Sequence, residues 1–309
     1  MADRMLHTKD GVPLVDILNE GQEILDLFND APRTVRETLG QNVSDQQFRV
    51  FAGDLTWEEL GEGEHARTGD TESFEMAFGV KKYGRALGMT QELIEDHSAD
   101  YVLRRFEALV EGALQAEHDV VFSTLRNGWA DGSGLWFDPE DYGAYSFQND
   151  HNHVFADTNA LTGEASATME EHLYAAQEEV EHHGKVADVA LVSSEGARKL
   201  VNELAWGPSY NIPTFEDLRT TGFPENGIQV DGMRVYKTRW LTGDEAHVIA
   251  GSERPLYFHE RRPVQITNGS TGGPVGDPGA LLGAYGSARY GAVVPDPLAG
   301  VKFNATNVA

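Results

Sequence analysis

The sequence predicts an α+β fold, and three observations lead there. Apolar residues recur at helical spacing through one very long stretch, residues 91–127. Two alternating, strand-like runs precede it, around Phe48 and Phe74. After it the order is helix, strand, helix and further strands, which argues against a purely helical or all-β chain.

Residues 1–45 read as an arm. Leu14, Ile17, Leu18, Ile24, Leu25 and Phe28 lie near helical spacing, bracketed by Pro13 and Pro32. Gly21 inside the run makes this a modest helix that docks on something else. Residues 46–90 read as a long hairpin: Phe48-Arg-Val-Phe-Ala alternates, as do Phe74, Met76 and Phe78. Between them, the run from Trp57 to Thr71 has three glycines and little apolar content, as an exposed tip would. A two-stranded hairpin of this length has no core of its own and needs a partner surface.

Residues 91–127 predict one helix, about 54 Å long at 1.5 Å per residue, without proline and stopped at Gly128. Its apolar positions include Leu93, Ile94, Val102, Phe106, Leu109, Ala113, Val120 and Leu125. Phe106, Leu109, Ala113 and Val120 are expected to face a sheet built from residues near 255–267 and 281–303. A helix this long suits a flat, plate-like subunit better than an ordinary globular enzyme. Residues 128–165 are irregular and aromatic. Thr168-Met-Glu-Glu is a capping-box-like start for a helix from Met169 to His183, ended by Gly184. Strands are expected at 187–193, 227–236 and 246–251, with a helix from Ser194 to Leu204. Two more strand-like runs, 255–267 and 281–294, flank a turn-rich linker.

Composition narrows the function. The chain has 309 residues, enough for one or two sizeable cores, and no apolar run approaches a membrane span. The start at Met1 lacks the apolar core of a signal peptide, and no removed N-terminal pro-segment is expected. Cysteine is absent, which excludes disulfides, thiolate metal sites and cysteine catalysis. Net charge is -26, from 50 acidic against 24 basic residues, and lysine occurs only at 9, 81, 82, 185, 199, 237 and 302. An acidic, lysine-poor surface fits a high-salt cytoplasm, where screening makes self-repulsion tolerable. The simpler reading is an acidic protein that repels nucleic acid. There is no basic patch or aromatic–basic interleaving, so sequence-specific DNA or RNA binding is not expected.

Candidate chemical sites are sparse. His151-Asn-His153 and His182-His183 could hold a metal, but lack the spacing of a zinc site. His182 and His183 also suit the end of a helix, where positive charge favours the dipole. The acidic run Glu170 to Glu181 reads as a solvated helix face rather than acid–base machinery. Asp131-Gly-Ser-Gly with Asp138, Glu140 and Asp141 misses the calcium-loop spacing, leaving weak hydrated cations at most. Gly61-Glu-Gly-Glu and Gly269-Ser-Thr-Gly-Gly lack the context and lysine of a phosphate loop, and there is no nucleophile-elbow motif. No cofactor and no specific metal are expected.

The stretch Tyr83-Gly-Arg-Ala-Leu-Gly-Met-Thr-Gln-Glu-Leu-Ile-Glu-Asp resembles the junction of extended loop and spine helix in major capsid proteins of tailed viruses, the Hong Kong 97 fold. Phe155-Ala-Asp-Thr-Asn-Ala-Leu resembles the entry to that family's axial lobe. Asp188 to Leu200 resembles its strand–helix element, Gly232 to Thr238 its back strand, and Val293 to Phe303 the closing strand of the peripheral lobe. The resemblance spans about residues 46–305, and it rests on the order of these segments. It implies an N-terminal arm (1–45), an extended loop (46–90), a peripheral domain with the spine helix (91–150), an axial domain (151–252) and return strands of the peripheral domain (253–309).

The implied function is a structural subunit assembling as pentamers and hexamers into an icosahedral head around double-stranded DNA. It would sit in the virion, be assembled in the host cytoplasm, and infect halophilic archaea. Partners would be copies of itself, packaged DNA without sequence-specific contacts, and scaffold, portal and decoration proteins, with no membrane. Trp57, Leu60, Arg67 and Phe74 would make inter-subunit contacts; Phe106, Leu109, Ala113 and Val120 would form the spine-helix core. Residues 54–75 contain no lysine, so cross-linking of the shell through the loop tip is not expected, and the arm is too short for a long scaffolding extension. Two alternatives stand beside this one: an encapsulin-like cellular compartment, and a metal-dependent hydrolase using His151 and His153.

Overall fold

The computed structural model describes residues 7–14, 16–17, 19–21, 23–24, 34–52, 72–129, 153–155, 161–162, 167–206, 223–224, 226–271 and 281–304. Among these, strands and helices form two sheets joined by one long helix, with a separate two-stranded ladder. No helix among the described residues is long and apolar enough to cross a membrane.

The first sheet has four strands in the order β1 (Gly40–Asn42), β10 (Leu256–Thr271), β11 (Leu281–Val293) and β4 (Lys81–Met89). β11 runs antiparallel to both of its neighbours, β10 and β4, while β1 adds a short edge parallel to β10. Residues 81–89 therefore belong to this sheet rather than to the hairpin that the sequence placed over 46–90. β10 carries two register irregularities, between Glu260 and Gln265, where Pro263 cannot donate to the ladder.

The second sheet has six strands: β5 (Val154–Phe155), β12 (Gly300–Asn304), β9 (Glu245–Ile249), β6 (Val189–Val192), β8 (Met233–Lys237) and β7 (Ile228–Val230). β6 reads Val-Ala-Leu-Val, and all four residues are buried, as a central strand covered on both faces demands. β7 and β8 form a tight hairpin in which Asp231 (φ 45°) and Gly232 (φ 86°) both take positive φ. α4 (Met169–Glu181) and α5 (Ser194–Trp206) flank this sheet. The expected capping box is formed: Glu171 N–H donates to Thr168 Oγ1 at 3.2 Å, and Thr168 N–H donates to Glu171 Oε2 at 2.7 Å. Glu203 of α5 accepts from the Met169 and Glu170 amides, so α5 also caps α4.

β12 departs from the expectation that the chain closes on the first sheet. It pairs antiparallel with β9 and parallel with β5, inside the second. Gly300 permits this placement. A Cβ there would lie 2.8 Å from the Trp129 ring, so only glycine lets this strand pass over that buried indole.

The long helix also differs in detail. Residues 91–127 do not form one rod: α2 (Gln91–Asp96) ends at His97, and α3 (Ala99–Gly128) starts anew after Ser98. α3 has 30 residues, about 45 Å. Ser98 makes no side-chain cap; the Asp10 carboxylate of the arm accepts from Ala99 N–H instead, at 3.1 and 3.2 Å. Lys9 N–H donates to His97 carbonyl oxygen at 2.9 Å, so the arm also takes up the end of α2.

α3 is buried in two different cores. Its first half packs with the arm, α2 and the end of β4: Ile17, Met89, Ile94, Val102 and Phe106 form one cluster, with Leu109 and Ile266 at its edge. Its second half joins the main core through Val110, Val121, Phe122, Leu125 and the adjoining Trp129, with Ala113 and Val120 partly buried against it. The four positions expected to face one sheet are thus divided between two clusters. Phe106 lies over Gly21 of the arm, where a Cβ would stand 3.2 Å from the ring. Near the middle of the helix Arg36, on α1 (Thr34–Leu39), pairs with Glu117 (3.2 Å) and Glu260 (2.8 Å) and stacks 4.0 Å over the Phe258 ring. That one guanidinium ties α1 to the helix and to β10.

Phe106 is 1% exposed. Phe106→Ala is expected to cost about 3–5 kcal/mol in denaturant-induced unfolding. A loss under about 0.5 kcal/mol would show that the arm cluster contributes nothing to the fold.

Candidate functional site

Three features stand out among the described residues: a two-stranded ladder, a groove beside α3, and a polar junction at the end of that helix. The ladder of β2 (Gln47–Ala52) and β3 (Glu72–Ala77) runs antiparallel from Gln47↔Ala77 to Ala52↔Glu72. Among the described residues neither strand bonds to a third. Its base is anchored: Phe78 N–H donates to Gln46 O, and the Phe78 ring meets His259 edge-on at 6.5 Å. Phe74 lies in β3 opposite Val50. Trp57, Leu60 and Arg67 lie outside the described residues.

Between α3 and the first sheet runs an open groove of about 490 Å³, bordered by Leu109, Ala113, Val264, Ile266, Gly286 and Tyr290. Ala108, Gly112 and Ala116, one turn apart on α3, keep the helix wall low there.

At the C-terminal end of α3 a buried polar network joins the helix to the second sheet. Arg126 Nε donates to both oxygens of Glu245, at 2.8 and 2.9 Å, and its Nη2 to the Trp240 carbonyl. Trp129 Nε1–H donates to His247 Nδ1 at 3.1 Å. An indole can only donate, so His247 Nδ1 is the acceptor and its proton sits on Nε2, aimed at Glu245 Oε1 at 3.1 Å. His247 is wholly buried, and burial pushes its pKa down, in keeping with this neutral tautomer. Burial works to raise the Glu245 pKa, but the His247 hydrogen bond and the Arg126 charge outweigh it and hold the carboxyl at about 2. The sequence reading missed all four residues. The signal was present: Glu245 and His247 fall on one face of a strand whose other members are Ala, Val and Ile.

The histidine pairs regroup. His151 lies outside the described residues, and His153 is fully buried with its Nε2 3.0 Å from His183 Nε2. His153 thus meets a histidine 30 residues away in sequence. His182 lies exposed, its Nδ1 3.8 Å from Glu179. Among the described residues no group of three or more potential metal ligands converges.

A family model described as phage capsid protein matches residues 74–303. The chain belongs to the phage capsid protein family. As a phage capsid protein it is a structural shell subunit of a phage head, located in the virion capsid. Its fold is that of solved shell proteins. The structure of Gordonia phage Cozz superposes with a TM-score of 0.56 at 17% identity, covering 87% of this chain and 85% of that one. Mycobacterium phage Patience gives 0.53 at 12% identity, with 97% and 90% covered. A virus-like particle from Pyrococcus furiosus gives 0.50 at 14% identity, with 95% and 100% covered. At such identities the likeness establishes the fold, Hong Kong 97-like, and no more. No curated protein matches the sequence.

The buried junction of this capsid protein yields a pH prediction. The Glu245 carboxyl has a lower pKa folded than unfolded, so its contribution is complete above about 4.5 and is lost as pH falls toward about 2. Glu245→Gln is expected to lower stability at pH 7 by about 2–3 kcal/mol and to flatten the acid limb of the stability–pH curve. Chemical denaturation at stepped pH checks both. An unchanged acid limb would remove Glu245 as the coupling group.

Proposed function

We propose that this capsid protein builds an icosahedral head from pentamers and hexamers and acts by assembly rather than by catalysis. The observation that carries this reading is the β2–β3 ladder, which among the described residues is anchored at its base and paired to no third strand. Such a ladder gains its stability from a surface on another molecule. In this reading Trp57, Leu60, Arg67 and Phe74 contact the neighbouring subunit, and Phe106, Leu109, Ala113 and Val120 keep the spine helix seated. A division into arm (1–45), loop (46–80), peripheral (81–150 and 253–299) and axial (151–252 and 300–304) parts is proposed with it, the bounds expected from the sequence being moved so that β4 and β12 fall with the sheets they join. So are the enclosed double-stranded DNA, held without sequence-specific contacts, and scaffold, portal and decoration proteins as further partners. An encapsulin-like compartment would share the shell and differ in holding no genome.

Deleting residues 56–70 should leave folded, soluble subunits that form no heads. Normal heads from the deletion would refute the proposed role of the loop.

We also propose adaptation to concentrated salt, in a virus of a halophilic host. The support is the net charge of -26 and the scarcity of lysine. Closing a shell brings these charges together, and molar salt shortens the Debye length to about 3 Å. Particles should be intact in molar salt and should swell or dissociate on dialysis to about 0.1 M, followed by light scattering. Particles that stay intact at low salt without added divalent cations would show that apolar burial dominates.

A further inference from the structure

The His153–His183 pair has the form of a half-built metal site. His153 Nδ1 stands 2.7 Å from the Gly300 carbonyl oxygen, which can only accept. The Nδ1 atom therefore carries the proton, and Nε2 presents a lone pair toward His183. Metal-ligating imidazoles are ordinarily held this way, with the far N–H on a backbone carbonyl or carboxylate. The two rings do not stack: their centroids are 5.0 Å apart and their planes are tilted by 40°, so nitrogens converge rather than faces. Two imidazole nitrogens about 2.0–2.1 Å from one metal stand about 2.9 Å apart at a right angle and about 3.3 Å at the tetrahedral angle. The observed separation, 3.0 Å, lies between these. His153 is buried, while His183 at the turn after α4 is half-buried and gives access from solvent.

We propose that His153 and His183 together bind one divalent transition-metal ion of the Cu²⁺, Ni²⁺, Zn²⁺ class, favoured by imidazole. Without metal, His183 Nε2–H donates to His153 Nε2. On metal entry that proton moves to His183 Nδ1, so both imidazoles stay neutral and no proton is lost overall. Water completes the coordination sphere. The ion staples the start of β5 to the end of α4. His153 carbonyl oxygen accepts from Lys302 N–H at 2.8 Å, so the staple acts on the β5–β12 edge of the second sheet.

The test is Cu²⁺ titration of the full chain, read by electron paramagnetic resonance and by thermal unfolding. One tight equivalent per chain is expected, with hyperfine structure from two nitrogens and a raised Tm. His183→Gln can still donate a hydrogen bond to His153, so it should fold normally, yet it should weaken binding more than about tenfold and lose the two-nitrogen signal. His182→Ala, an exposed neighbour, should change neither. The pair is a proton-bridged contact only, and the proposal fails, if copper shows oxygen coordination alone. It also fails if His183→Gln binds as the native chain does, or if His182→Ala is equally damaging.

Discussion

The bond between the end of the long helix and the six-stranded sheet decides how the two halves of this subunit sit. Arg126 and Trp129 reach from α3 into the sheet and meet Glu245 and His247, adjacent on one face of β9. A buried ion pair of this kind adds little net stability over an apolar replacement. Its value is in being directional. Indole N–H to imidazole, imidazole N–H to carboxylate, and carboxylate to guanidinium can be satisfied together in one relative placement of helix and sheet. A greasy contact at the same place would tolerate sliding. For a subunit that must present the same edges to several neighbours, a fixed angle between its two lobes is the useful property.

The other end of the helix is held differently. There the arm, far away in sequence, supplies Asp10 as the cap and Ile17 as core. The arm is therefore part of the folded unit and not simply a tether. The helix is consequently fixed at both ends by remote segments, with Arg36 binding its middle to β10. The opposing force is charge. The net charge of -26 repels neighbouring copies, and the buried pairs that use up carboxylates, Glu117, Glu245 and Glu260 among them, relieve only part of it.

Locally encoded features were legible in the sequence. The Thr168 capping box, the apolar run of β6 and the amphipathic stretch of α3 each depend on residues within one or two turns of one another. Features decided by distant partners were not. The apolar rhythm continues through His97 and Ser98, yet the helix breaks there, because the arm satisfies the backbone groups that a continuous helix would have used. The run Gly300–Asn304 carries no mark of which sheet it joins; the need for glycine at 300 becomes visible only once Trp129 is seen packed beneath it. His153 stands close to His151 in sequence, and its contact with His183 comes from 30 residues away. The Glu245–His247 pair was visible as two polar residues in a buried strand, but its meaning required Arg126 and Trp129. The order of segments, rather than any single motif, was what made the capsid fold readable.

All of these contacts acquire a purpose only if the subunit closes with its copies into a shell. Electron microscopy of the purified, full-length protein in molar salt tests that claim most directly. The account predicts closed, icosahedral particles of uniform size, with the two lobes in the same mutual orientation in every subunit. A folded protein that remains monomeric, or forms only small open oligomers at any concentration and salt, would contradict it.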